Sequence, residues 1–121
     1  MGDISPHFSR AEFACRCSKC DQDNVDVELL EWMELIRNHY NKPVHIHCAN
    51  RCPEHNKAVG SLPTSQHIKG KAVDFHINGE EPEDIAYWIN EHICPDRGGI
   101  GIYKTFVHLD RRKERARWDN R

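Results

Sequence analysis

The run Lys71-Ala72-Val73-Asp74-Phe75-His76-Ile77 alternates with a period of two, and this constrains the fold more than any other feature of the chain. In a strand, Ala72, Asp74 and His76 point to one side and Val73, Phe75 and Ile77 to the other. One side is apolar enough to be part of a core. The other carries a carboxylate and an imidazole.

Helical patterns lie on either side of this strand. Asp26 reads as an N-cap, and behind it Leu29, Met33, Ile36 and Tyr40 share one face of a helix that Asn41-Lys42-Pro43 ends. A short strand is predicted over 44–48 and a short helix, with Pro53 in its first turn, over 52–58. Asn78-Gly79 turns the chain. The segment 82–93 opens with acidic residues, as a helix N-terminus favours, and its Ile85, Trp88, Ile89 and Ile93 stripe suits packing on a sheet. Glycines 98, 99 and 101 lead into a hairpin over 100–103 and 106–110. Phe8 and Phe13 are predicted to anchor the N-terminal segment to the core. The expected class is α+β, with two main helices against a small antiparallel sheet.

At 121 residues there is room for one domain, 1–121, with a cysteine-containing segment at 1–24 and a basic tail at 111–121. A hydrophobic fraction of 38% with 30% charged residues suits a folded soluble chain rather than a disordered one. The net charge of only -2 argues for neither nucleic acid nor an anionic surface as a partner, and no nucleic acid is expected. No apolar run approaches the roughly 20 residues of a membrane-spanning helix. The start, Met1-Gly2-Asp3-Ile4-Ser5-Pro6, lacks the pattern of a signal peptide. Synthesis in a cytoplasm is expected, with action outside only after release.

His67, Asp74 and His108 come from separated segments and can form a three-ligand metal site whose fourth position stays open. That is the arrangement of a catalytic zinc, because structural zinc usually closes with four protein ligands. The other histidines have plainer readings. His7, His39 and His92 suit solvated or capping roles, and His45, His47, His55 and His76 suit surface, core or ligand-orienting roles.

The string Ser65-x-His67-x-x-Gly70-x-Ala72-x-Asp74 is far more specific than the ligand spacing alone. Together with Phe8-Ser9-Arg10-Ala11-Glu12-Phe13, the run Asn50 to Asn56, Gly99 to Tyr103 and Phe106-Val107-His108-Leu109-Asp110, it resembles the zinc D-Ala-D-Ala carboxypeptidase-like peptidases, peptidase family M15. The likeness is to the small domains of murein endopeptidases and phage lysins, and covers nearly the whole chain. It implies a hedgehog/DD-peptidase-like zinc fold, His67, Asp74 and His108 as the ligands of one catalytic zinc, and peptidoglycan stem peptides as substrate. It also implies that Arg51 grips a substrate carboxylate, a role suited to a guanidinium that forks onto two oxygens. An internal salt bridge is the other reading of Arg51. Ser65 and Gln66 are expected to hydrogen-bond substrate or the Asp74 side.

Hydrolysis needs a base, and the chain departs from the family here. Branches with Glu or Asp three residues before the last ligand meet Thr105, and branches with a histidine two residues before it meet Phe106. Asp110, two residues after His108 and on the same side of a strand, is the expected base. Alternatively it orients a ligand or pairs with Arg51 or Arg112. Tyr103 is read as packing, with donation to an oxyanion the other possibility.

Cys15, Cys17 and Cys20 suggest a structural metal clip, disulfides to Cys48, Cys52 or Cys94 in an oxidising space, or reduced thiols. The basic residues from Arg111 to Arg117 read as a solvated tail, with attraction to an anionic wall as the alternative. The functional expectation is a monomeric zinc peptidase cutting peptidoglycan, as a carboxypeptidase or endopeptidase and in a phage or prophage lysin setting. A non-catalytic zinc module that binds wall peptides or a protein is the alternative, and a cysteine-ligated redox or nucleic-acid module explains only residues 15–20.

Overall fold

In the computed structural model the structure describes residues 5–13, 26–49 and 71–121. Asp26 caps helix α1 (Val27–Tyr40), its carboxylate accepting from Leu29 N at 3.0 Å. This satisfies one of the amides that a helix start leaves without an intrahelical partner. Leu29, Trp32, Met33 and Ile36 are buried along one face of α1, and Tyr40 packs at its margin. Asn41 ends the helix in the left-handed region, φ 53°, a conformation asparagine tolerates better than most residues.

Strand β1 (His45–Cys48) pairs antiparallel with β2 (Ala72–His76), which pairs antiparallel with β4 (Val107–Asp110). The predicted hairpin is present: β3 (Gly99–Ile102) runs antiparallel to β4, with Tyr103 N donating to Phe106 O at 3.0 Å. Between β2 and β3 lies helix α2 (Pro82–His92), with proline in its first turn and Ile85, Ala86 and Ile89 buried. The sheet order is β1-β2-β4-β3, with a fifth strand on the outer side of β3.

The fifth strand corrects two expectations. Ala116–Asp119 is strand β5, paired parallel to β3, so the sheet is mixed rather than purely antiparallel and the C-terminal stretch is not a solvated tail. Ala116 N donates to Gly98 O at 3.0 Å and Asn120 N to Ile102 O at 2.8 Å. Four basic side chains of the C-terminal stretch bind groups elsewhere in the fold. Arg111 Nη2 reaches Asp26 at 3.0 Å, Arg112 binds Asp110, Arg115 Nε reaches Pro95 O at 3.0 Å, and Arg117 Nε reaches Asn90 at 2.8 Å.

Both helices cover one side of the sheet. Val73 and Phe75 of β2, Val107 and Leu109 of β4 and Ile100 of β3 join the helix residues in a single core. Phe8 and Phe13 enter the same core, their rings meeting edge to face at 5.9 Å. Strand alternation therefore turns Asp74, His76, His108 and Asp110 to the opposite side of the sheet. The predicted short helix over 52–58 and the cysteines at 15, 17, 20 and 52 lie outside the described residues. Cys94 is a buried free thiol and enters no disulfide.

Candidate metal centre

Register decides what meets on that face. Asp74 stands opposite His108 and Ala72 opposite Asp110 across β2 and β4, while Gly101 and Gly99 stand opposite the same two residues on β3. The His108 ring bridges two carboxylates: Nδ1 lies 2.8 Å from Asp74 Oδ1 and Nε2 lies 2.8 Å from Asp110 Oδ2. His108 is 9% exposed and Asp110 is fully buried.

Asp110 is held by a set of donors. Its Oδ1 accepts from Gly99 N at 3.0 Å, Arg112 N at 3.1 Å and Arg112 Nε at 2.8 Å. Its Oδ2 accepts from Arg112 Nη2 at 2.7 Å as well as from the imidazole. Burial by itself would raise its pKa, but the hydrogen bonds from His108 and Arg112 outweigh it and hold the carboxyl well below the usual carboxylate range. Glycine at 99 is a condition of this seat, since a Cβ there would lie 2.7 Å from the Asp110 carboxyl carbon.

The second wall is aromatic. Trp118 lies opposite Gly101, where a Cβ would meet Cζ2 of the indole at 2.8 Å. Its ring is 5.1 Å from that of His108, and the Arg112 guanidinium carbon lies 5.4 Å from the indole centroid. Tyr103 packs, as expected: its hydroxyl accepts from Trp118 Nε1 at 3.0 Å and its ring stacks on Phe106 at 4.5 Å.

Three more histidines occupy the β1 side of the face. His47 Nε2 lies 2.6 Å from His76 Nδ1, and His45 stacks on His76 at 4.8 Å. Desolvation, followed by the His76 ring, pushes the His47 pKa below its usual value, and Asp74 opposes the shift. His7 pairs with Glu34 at 2.7 Å, while His39 stacks on Trp88 at 4.1 Å.

Of the residues expected to form the site, Asp74, His108 and Asp110 are brought together. His67, Arg51, Ser65 and Gln66 lie outside the described residues. Among the described residues no three His, Cys, Asp or Glu side chains are arranged to hold a metal ion.

The chemistry of Asp74 and His108 fits a cation nevertheless. With Nε2 donating to Asp110, a neutral His108 ring presents its Nδ1 lone pair to the Asp74 oxygen. Two acceptors at 2.8 Å repel unless a positive charge, a proton or a metal ion, lies between them. Donors sharing a tetrahedral zinc at about 2.0–2.1 Å stand about 3.3 Å apart, so this pair would part by roughly half an ångström.

A family model described as Peptidase M15 matches residues 6–110. The chain belongs to the peptidase M15 family. The match ends at Asp110, so that both carboxylates on the His108 ring fall within it. No curated protein matches the chain. At the level of the family, an M15 chain is a metallopeptidase, generally zinc-dependent and acting on peptidoglycan.

Sequence reasoning missed Gly99 and Trp118 as parts of the centre and offered Arg112 only as one alternative partner of Asp110. The Gly99-x-Gly101 pattern was the available signal. Two glycines at strand spacing leave room on one face for bulky groups from neighbouring strands.

Proposed function

We propose that the chain is a zinc peptidase that hydrolyses peptide bonds of bacterial peptidoglycan, as a DD-carboxypeptidase or a murein endopeptidase, in the setting of a phage or prophage lysin. The observation that carries the reading is the pair His108 Nδ1 and Asp74 Oδ1, 2.8 Å apart on the sheet face away from the helices, in an M15 chain. His67 would complete the set of three. Zinc bound there supplies Lewis acidity and acidifies a water towards neutral pH. The chain's own contribution is to hold the two described ligands on adjacent strands of one sheet, where each is fixed by backbone pairing. Arg51 would grip a free substrate carboxylate, with Ser65 and Gln66 hydrogen-bonding the peptide. A second zinc at Cys15, Cys17 and Cys20 has no supporting observation.

A general base has to be reachable and has to accept a proton near the working pH. Asp110 is buried and already accepts from His108, Gly99 and Arg112, so its geometry favours a role behind the ligand over the role of base. That commitment is also what favours the second reading, a zinc module that binds wall peptides without cutting them. Purified sacculi separate the two. Native protein with zinc should release soluble muropeptides whose new termini, read by mass spectrometry, identify the bond, and His108→Ala or chelation should stop release. Retention on sacculi with no release by the native protein would sink the enzymatic reading.

A further inference from the structure

We propose that Asp110, locked by Arg112 and by the backbone of Gly99, is a positioning residue that selects the nitrogen with which His108 takes up a metal. The inference rests on the reading of Asp74 and His108 as metal ligands and deepens it.

An ionised carboxylate accepts hydrogen bonds and donates none. Asp110 Oδ2 at 2.8 Å from Nε2 therefore requires the imidazole proton to sit on Nε2. A neutral ring has only one such proton, so Nδ1 is left with its lone pair, aimed at the Asp74 oxygen 2.8 Å away. Either ring nitrogen of a histidine can bind a metal, and the hydrogen bond made by the other decides which one does. Here that hydrogen bond comes from a group that has no freedom to turn away. Arg112 binds both oxygens of Asp110 through Nε at 2.8 Å and Nη2 at 2.7 Å, and its own amide and that of Gly99 complete the hold.

Arg112 also acts from a second direction. Its guanidinium lies over the Trp118 indole, and that indole flanks the His108 ring at 5.1 Å. The imidazole is thus fixed in tautomer by Asp110 and flanked by Trp118, while Arg112 supports both. None of these three residues needs to touch the metal to affect its binding.

The test is zinc titration of the full-length metal-free protein against a competing chelator. Asp74→Ala and His108→Ala should lose tight binding. Asp110→Asn and Arg112→Gln should bind zinc about 10–100-fold more weakly, the range typical of groups that orient a ligand, and should regain peptidase activity at saturating zinc. Asp110→Asn with native zinc affinity and lost turnover would overturn the proposal and return Asp110 to the role of base. If Asp74→Ala and His108→Ala bind zinc as the native protein does, the reading of the ligands has failed instead. A readout independent of any variant is the nitrogen NMR spectrum of the zinc-loaded native protein. His108 should keep its proton on Nε2 and carry zinc on Nδ1, and zinc on Nε2 would refute the proposal even if the variants do not fold.

Discussion

Replacing Gly99 by alanine drives a methyl group into the Asp110 carboxylate. Its carbon would lie 2.7 Å from both Cγ and Oδ1 of Asp110, and closer still to Oδ2, where ordinary contacts begin near 3.4 Å. Asp110 is fully buried, and its oxygens are shared among His108, Gly99 N and three donors of Arg112, so the carboxylate has nowhere to go without breaking some of them. Overpacking of this kind costs about 1–3 kcal/mol, and one lost hydrogen bond to a charged group adds about 1.5–3. A total of about 2.5–6 kcal/mol is expected. With an unfolding entropy of about 2.1 cal/mol/K per residue over 121 residues, that lowers the melting temperature by about 10–24 °C.

Gly101→Ala is the internal control. Its methyl would crowd the Trp118 indole comparably, but Trp118 is half-buried on edge strand β5 and can swing outward, so the loss should be less than half as large. Calorimetric melts of the metal-free proteins measure both. A Gly99→Ala variant melting within about 3 °C of the native protein, or above Gly101→Ala, would refute the claim that Asp110 sits in a rigid seat.

Phe8→Ala removes a fully buried ring that packs edge to face on Phe13, and should cost about 3–5 kcal/mol in urea unfolding. A loss under about 1 kcal/mol would mean that the N-terminal segment is not part of the cooperative core. Asp26 and Asp110 both have folded pKa values below the ordinary 3.8: burial opposes the shift, and it is outweighed for Asp26 by the Arg111 hydrogen bond and for Asp110 by those from His108 and Arg112. Groups of this sign stabilise the fold above pH 3.8 and lose that contribution as pH falls through their lowered values. Melting temperatures should therefore drop as the pH falls below 3.8, and Asp26→Asn should flatten that drop; an unchanged slope would contradict the assignment of Asp26.

Much of this organisation could be read from local pattern. The alternation of 71–77 separates the core residues Val73 and Phe75 from Asp74 and His76 because side chains of a strand must take opposite sides. Asp26, the α1 stripe and the hairpin were legible because caps, helical periodicity and glycine-flanked strands depend on neighbours in the chain. The same two-residue period puts Asp110 beside His108, which the sequence alone could reveal.

Pairing between distant segments decided the rest. Ala116-Arg117-Trp118-Asp119 alternates apolar and charged residues over only four positions beside a basic run, which is a weak local mark of a strand; it becomes one because the open edge of β3 offers it backbone partners. The role of Asp110 was likewise undetermined in one dimension, since a carboxylate beside a ligand serves equally as base or as anchor. The tertiary fold favours the anchor, because the chain brings Arg112 and the bare backbone of Gly99 onto a carboxylate that is fully buried. Composition and spacing select which groups are available for metal chemistry; strand register and burial decide which remain free to perform it.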